Sequence, residues 1–182
     1  MFEILNILTP FFEEPRREFN LREFARVINK APSTTTIKLK KLVELGIIKE
    51  RKEWNLKLYK ANLENDLYRD LKVFYNIRKL KESGLIDELN KYYLKPTIVL
   101  FGSCSKGIDT EDSDIDLLII SEKTKEFPNE KKFEKKLKRA LHIFVVKDLK
   151  EIKNEHLINN ILNGIIIQGA IRWICKNALK KD

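Results

Sequence analysis

The chain has 182 residues, of which 43% are hydrophobic and 35% charged, and a formal net charge of +9. That is enough for one ordinary domain or two small ones. No apolar run approaches the ~20 residues of a membrane-spanning helix, and the start Met1-Phe-Glu-Ile-Leu-Asn lacks the basic opening of a signal peptide, so the chain reads as cytoplasmic, with no membrane association. Cys104 and Cys175 show no metal-ligand spacing, which argues against a zinc site or a disulfide framework. The positive balance favours a polyanionic partner, and it is uneven: residues 1–62 hold 13 Lys and Arg against 8 Asp and Glu, +5 of the +9. A Lys- and Glu-rich surface of the hyperthermophile kind is the plainer explanation.

In chain order, residues 1–13 have Phe2, Leu5, Leu8 and Phe12 at helical spacing, and Pro15 ends that helix. Asn20 is a good N-cap with Glu23 three residues on, opening a second helix to about Lys30. Pro32 and Ser33 start a third, which runs to Leu45 with Leu39, Leu42, Val43 and Leu45 inward, and Gly46 stops it. Ile47–Lys52 and Leu56–Lys60 alternate as a hairpin across Glu53-Trp-Asn55. Three short helices followed by a basic hairpin resemble a winged helix-turn-helix, and Leu42-Val-Glu-Leu-Gly-Ile-Ile-Lys-Glu-Arg resembles the recognition-helix-to-wing junction of prokaryotic regulators. The resemblance implies double-stranded DNA as a partner. Ser33, Thr34, Thr36 and Lys38 would meet base edges, and Lys40, Lys41, Arg51, Lys52 and Lys57 would meet phosphates. Winged helices also mediate dimerisation, so a homodimer is open, and exposed lysines are commonly just solvated.

Residues 63–94 form a helical connector, traced by Leu67, Leu71, Phe74, Ile77 and Leu80 and divided at Gly84. Its aromatics, Tyr68, Phe74, Tyr75, Tyr92 and Tyr93, are more simply core than a base-stacking surface. Lys95-Pro96 leads into Ile98-Val-Leu-Phe101, an unbroken apolar run expected of a strand covered on both faces. Gly102-Ser103 breaks it. If a short helix follows, its first amides suit phosphate, and Lys106 adds a point charge. Asp114 and Asp116 then open the run Asp-Ile-Asp-Leu-Leu-Ile-Ile, where alternation puts both carboxylates on one face. Two carboxylates beside a phosphate-accepting turn suit Mg²⁺ or Mn²⁺ with a nucleoside triphosphate. Two such ions about 3.5–4 Å apart can serve an in-line displacement.

Gly102, Ser103, Lys106, Ser113, Asp114 and Asp116 together resemble the Gly-Ser…Ser-Asp-x-Asp signature of the DNA polymerase beta nucleotidyltransferase superfamily, minimal type. The resemblance implies an α/β (α+β) nucleotidyltransferase core over 95–182, with a small mixed sheet flanked by helices, following a winged-helix domain at 1–62. It implies that Gly102, Ser103, Lys106 and Ser113 hold the nucleotide, ATP foremost, and that Asp114 and Asp116 ligate metal. The superfamily normally has a third carboxylate on the strand after the next helix. Here that helix opens near Pro128 and runs to about Ala140 with Phe133 and Leu137 inward and Lys131, Lys132, Lys135, Lys136 and Lys138 outward. The next strand, Leu141–Val146, offers His142 instead, while Asp148 falls beyond it. Histidine can act as a base near neutral pH, but it is a poor ligand for a hard ion. A helix from Glu151 to Asn163, a strand Ile165–Gln168 and a helix Ala170–Lys180 with Trp173 inward complete the expectation.

Three functions follow: nucleotidyl transfer to an acceptor with Asp114, Asp116 and His142 catalytic; a DNA-binding regulator whose nucleotide domain no longer turns over; and an antitoxin-like protein acting on a toxin-like partner.

Overall fold

A computed structural model describes residues 2–171, with the side chains of Phe2 and Glu3 left aside. The expected terminal helix with Trp173, and Cys175, lie outside the described residues. Among those residues seven helices accompany two small sheets, a mixed α+β arrangement.

The first unit begins with α1 (Phe2–Glu13) and a two-residue strand β1 (Phe19–Asn20), which the sequence pattern is too short to reveal. The side chain of Asn20 accepts the Glu23 amide as expected of an N-cap and starts α2 (Leu21–Val27). This helix stops three residues earlier than predicted. Asn29 turns left-handed (φ 51°), and the Lys30 amide donates back to the Ala25 carbonyl at 3.0 Å, a Schellman closure. Helix α3 (Pro32–Glu44) ends the same way on Gly46, at φ 70°. Leu39 and Leu42 are buried, but Leu45 is exposed rather than inward, because the helix ends before another turn would bring it round. Strands β2 (Ile48–Glu53) and β3 (Leu56–Ala61) pair antiparallel, and Glu53 faces Leu56. The turn is therefore only Trp54-Asn55. β1 adds to the other side of β3, giving the order β1-β3-β2.

Two helices follow, α4 (Asp66–Glu82) and α5 (Leu85–Tyr93), separated at Gly84. The buried stripe of α4 is Tyr68, Lys72, Asn76 and Leu80, four residues apart, whereas Leu67 and Phe74 are exposed. The helix is thus rotated relative to the one its apolar residues suggest. Tyr68, Leu71 and Tyr75 pack into the core of the first unit beside Phe11, Phe19 and Phe24. Ile77 and Leu80 pack into the second core.

The second sheet has the order β6-β5-β4-β7, from β4 (Thr97–Phe101), β5 (Ile115–Ile120), β6 (Leu141–Val146) and β7 (Ile165–Gln168). β5 and β6 run parallel, joined across α6 (Glu130–Leu137), and the other pairs are antiparallel. One face, with Ile98, Leu100, Leu117 and Ile119, packs with Leu85, Leu89, Phe133 and Leu137. The other, with Val99, Phe101 and Leu118, packs with Ile161 of α7 (Glu155–Leu162). β4 is therefore covered on both faces as its composition requires. Each fully buried Leu or Phe here adds roughly 1.5–3 kcal/mol. β6 is an edge strand and is only partly covered, so the apolar run 141–146 does not make it a central one. Helix α7 starts at Glu155, four residues later than expected, because a single 3-10 turn over Leu149–Glu151 precedes it.

Candidate active site

The chain leaves β4 at Phe101, which pairs with Asp116 of β5, and turns at once at Gly102, whose φ is 71°. A Cβ there would stand 2.3 Å from Asp116 Oδ2. Only glycine lets the turn pass so close to a carboxylate, and it takes a left-handed conformation at no steric cost. The expected short helix is one 3-10 turn, Cys104–Lys106. The Lys106 and Ile108 amides both point back to the Ser103 carbonyl. Its amides therefore form a turn and not a regular helix start, since the apolar Cys104 is pulled under the sheet. Ser103 is half-buried and Lys106 exposed. The Ser113 hydroxyl accepts the Thr110 amide at 2.9 Å, closing the loop on itself.

Asp114 immediately precedes β5 and Asp116 lies within it. Both carboxylates face His142, which is opposite Asp116 in the parallel β5–β6 register. His142 Nδ1 lies 3.4 Å from Asp116 Oδ1 and 3.8 Å from Asp114 Oδ2, and all three side chains are partly exposed. The structure therefore brings together Gly102, Asp114, Asp116 and His142 at one open edge of the sheet. Among the described residues no three His, Cys, Asp or Glu side chains form a ready metal cage. Two hard carboxylate oxygens fit a magnesium ion that completes its shell with waters and phosphate oxygens; the imidazole does not.

Beneath this edge is a buried polar cluster that the sequence did not reveal. Asp109 is 1% exposed. Its carboxylate receives Arg139 Nη1 at 2.8 Å and Asn76 Nδ2 at 2.8 Å, with Lys72 Nζ 3.5 Å away. The Lys72 ammonium also donates to the Asp109 carbonyl, and Asn76 donates to the Cys104 carbonyl at 3.0 Å. Arg139 Nε reaches the Ser113 carbonyl at 2.6 Å and Nη2 the Asp114 carbonyl at 3.2 Å. Burial holds the Lys72 ammonium below the usual lysine range, against the opposing pull of Asp109. Burial pushes the Cys104 thiol up to about 12, with the Asp109 charge adding to it. The signal that could have found this cluster is the four-residue spacing Tyr68, Lys72, Asn76, Leu80, which sets two polar residues on a buried stripe.

The residues expected at DNA are on the opposite unit. Ser33, Thr34, Thr36, Lys40 and Lys41 are exposed on α3, and Lys38 is half-buried. Thr36 Oγ1 donates to the Pro32 carbonyl and Lys40 lies 3.9 Å from Glu44. On the hairpin, Arg51 is held by Glu18 and Glu53, at 2.5 and 2.8 Å, and Lys57 by Glu50 at 2.8 Å. Lys52 is exposed, as is Trp54 at the tip, at 90%. No helix among the described residues is long and apolar enough to cross a membrane.

No curated protein matches the chain. Residues 82–167, which run from the end of α4 to β7 and include Gly102, Asp114, Asp116 and His142, match the family model of the nucleotidyltransferase domain.

Proposed function

We propose that this protein binds a magnesium–nucleoside triphosphate, ATP foremost, at the Gly102–Asp116 edge and transfers its nucleotidyl group to an acceptor. The observation that carries the reading is the pair Asp114 and Asp116 on one face, with the Gly102 turn pressed against Asp116, inside a segment matched by a nucleotidyltransferase family. Asp114 and Asp116 would hold the metal, which supplies Lewis-acid stabilisation of charge on the transferring phosphate. The turn at Gly102 and Ser103 would hold the triphosphate, with Lys106 at its exposed side and Ser113 shaping the loop. His142, within 4 Å of both carboxylates, would take the acceptor's proton as a general base.

The test is pyrophosphate release with each of the four NTPs and Mg²⁺ or Mn²⁺. Release is expected from the native chain and not from Asp114→Asn with Asp116→Asn. Equal release from that variant would sink the assignment.

A second reading is favoured by the exposed lysines of α3 and the hairpin. In it, residues 1–62 are a winged helix that binds double-stranded DNA, and the nucleotide domain senses nucleotide without turnover. Nucleotide binding without pyrophosphate release, together with salt-sensitive DNA binding, would favour it. An antitoxin-like role would instead show as modification or capture of a specific protein partner.

A further inference from the structure

The loop from Gly102 to Asp114 carries the glycine turn at one end and a carboxylate at the other, yet its only regular structure is one 3-10 turn. A loop of this kind does not hold two site groups in fixed relation by its own backbone. Four side chains fasten it from behind. Asn76 holds the Cys104 carbonyl, Lys72 the Asp109 carbonyl, and Arg139 the carbonyls of Ser113 and Asp114, while Asp109 turns inward to join all three. Arg139 also stands three residues before His142, and the Ile115 amide bonds to the Ala140 carbonyl at 2.9 Å. One guanidinium thus fixes the strand start that bears Asp114 relative to the strand that bears His142.

Charge neutralisation alone does not account for this. Lys72 already stands beside Asp109, and replacing a buried ion pair by apolar groups is often neutral for stability. The surplus is directional: Arg139 spends two of its donors on main-chain carbonyls at the mouth of β5, a use that needs its planar fork. Lys72 and Asn76 come from α4, ahead of the family match at 82–167, so the support is supplied from outside that segment.

We infer that Arg139, anchored by Asp109, Lys72 and Asn76, is the positioning residue of the candidate metal–nucleotide site. It sets Asp114 against Asp116 and His142 without touching ligand. The inference rests on the reading of Asp114 and Asp116 as metal ligands.

The experiment is titration of the full chain with Mn²⁺ alone, following the free ion by electron paramagnetic resonance, beside thermal melts. Arg139→Lys keeps a charge for Asp109 but cannot reach both carbonyls, and Asn76→Ala frees the Cys104 carbonyl and one Asp109 oxygen while Arg139 and Lys72 still neutralise that carboxylate. Each is expected to weaken Mn²⁺ binding by about 10- to 100-fold, the usual cost of losing a ligand's supporting partner. Leu42→Ala, in the distant first core, should lower the melting temperature and leave Mn²⁺ affinity within about twofold of the native value, well short of that cost. Native-like affinity in Arg139→Lys and Asn76→Ala would overturn the inference and leave the metal reading standing. An equal loss in Leu42→Ala would also overturn it, by showing that general destabilisation suffices. Mn²⁺ binding by the native chain that is indifferent to Asp114→Asn and Asp116→Asn would remove the metal reading and the inference with it.

Discussion

His142 sits directly across from Asp116 in the parallel pairing of β5 and β6, its Nδ1 3.4 Å from the carboxylate. A carboxylate at this position would give a hard ion a third oxygen ligand. His142→Asp is therefore expected to tighten Mg²⁺ binding by about tenfold, or about 1.4 kcal/mol. Isothermal calorimetry on both chains reads it, and unchanged or weaker binding would show that position 142 does not face the ion.

Gly102→Ala should damage both fold and site. The left-handed backbone alone costs about 1–2 kcal/mol for a residue with a Cβ. In addition, the Cβ meets Asp116 Oδ2 at 2.3 Å, so the carboxylate must move. A lower melting temperature together with lost Mn²⁺ binding is expected. A lower melting temperature with full binding would place the ion elsewhere.

Cys104 provides a pH prediction. Its folded-state pKa is raised to about 12, against ~8.5 for a free thiol. The folded state therefore keeps its proton where the unfolded chain loses it. The stabilisation is complete below ~8.5 and disappears as pH rises through about 12. In a Cys175→Ser background, iodoacetamide at pH 8 should label Cys104 only after unfolding. The alkaline loss of urea stability should be shallower in Cys104→Ala; equal slopes would show the thiol is not protected.

The basic residues of the first unit predict a salt dependence. Arg51 and Lys57 are already paired with carboxylates, whereas Lys41 and Lys52 are exposed. If the unit binds DNA, Lys41→Gln with Lys52→Gln should reduce the slope of log affinity against log salt by about 2, near one per phosphate contact. Arg51→Gln should change it less. Deleting residues 1–62 is a poorer test, since it would uncover Tyr68, Leu71 and Tyr75 on α4.

The legible part of the site is the local part. Gly102, Asp114 and Asp116 stand within one strand-turn-strand and announce themselves by spacing, and His142 follows from the alternation of the next strand. Asp109, Lys72, Asn76 and Arg139 come together only because α4, the loop and the turn leading into β6 converge, with their contacts to Asp109 spanning 30 or more positions. In the fold, the cap at Asn20 and the stop at Gly46 mark helix ends well. The apolar residues of α4 do not mark its buried face, because that face also carries Lys72 and Asn76. β1 leaves no mark in the sequence because a two-residue strand has no period.

Helix α4 gives Tyr68 to one core and Leu80 to the other, and the Tyr68 hydroxyl donates to the Phe11 carbonyl at 2.8 Å. Neither half has a complete interior without it. The two halves are therefore expected to melt as one cooperative unit, with free energy gained at either end shared by both. A nucleotide at a hundred times its Kd adds about 2.7 kcal/mol to the native state. If nucleotide binds at the Gly102–Asp116 edge, amides beside Phe24, in the other half, should then exchange with solvent about a hundredfold more slowly when they open only through global unfolding.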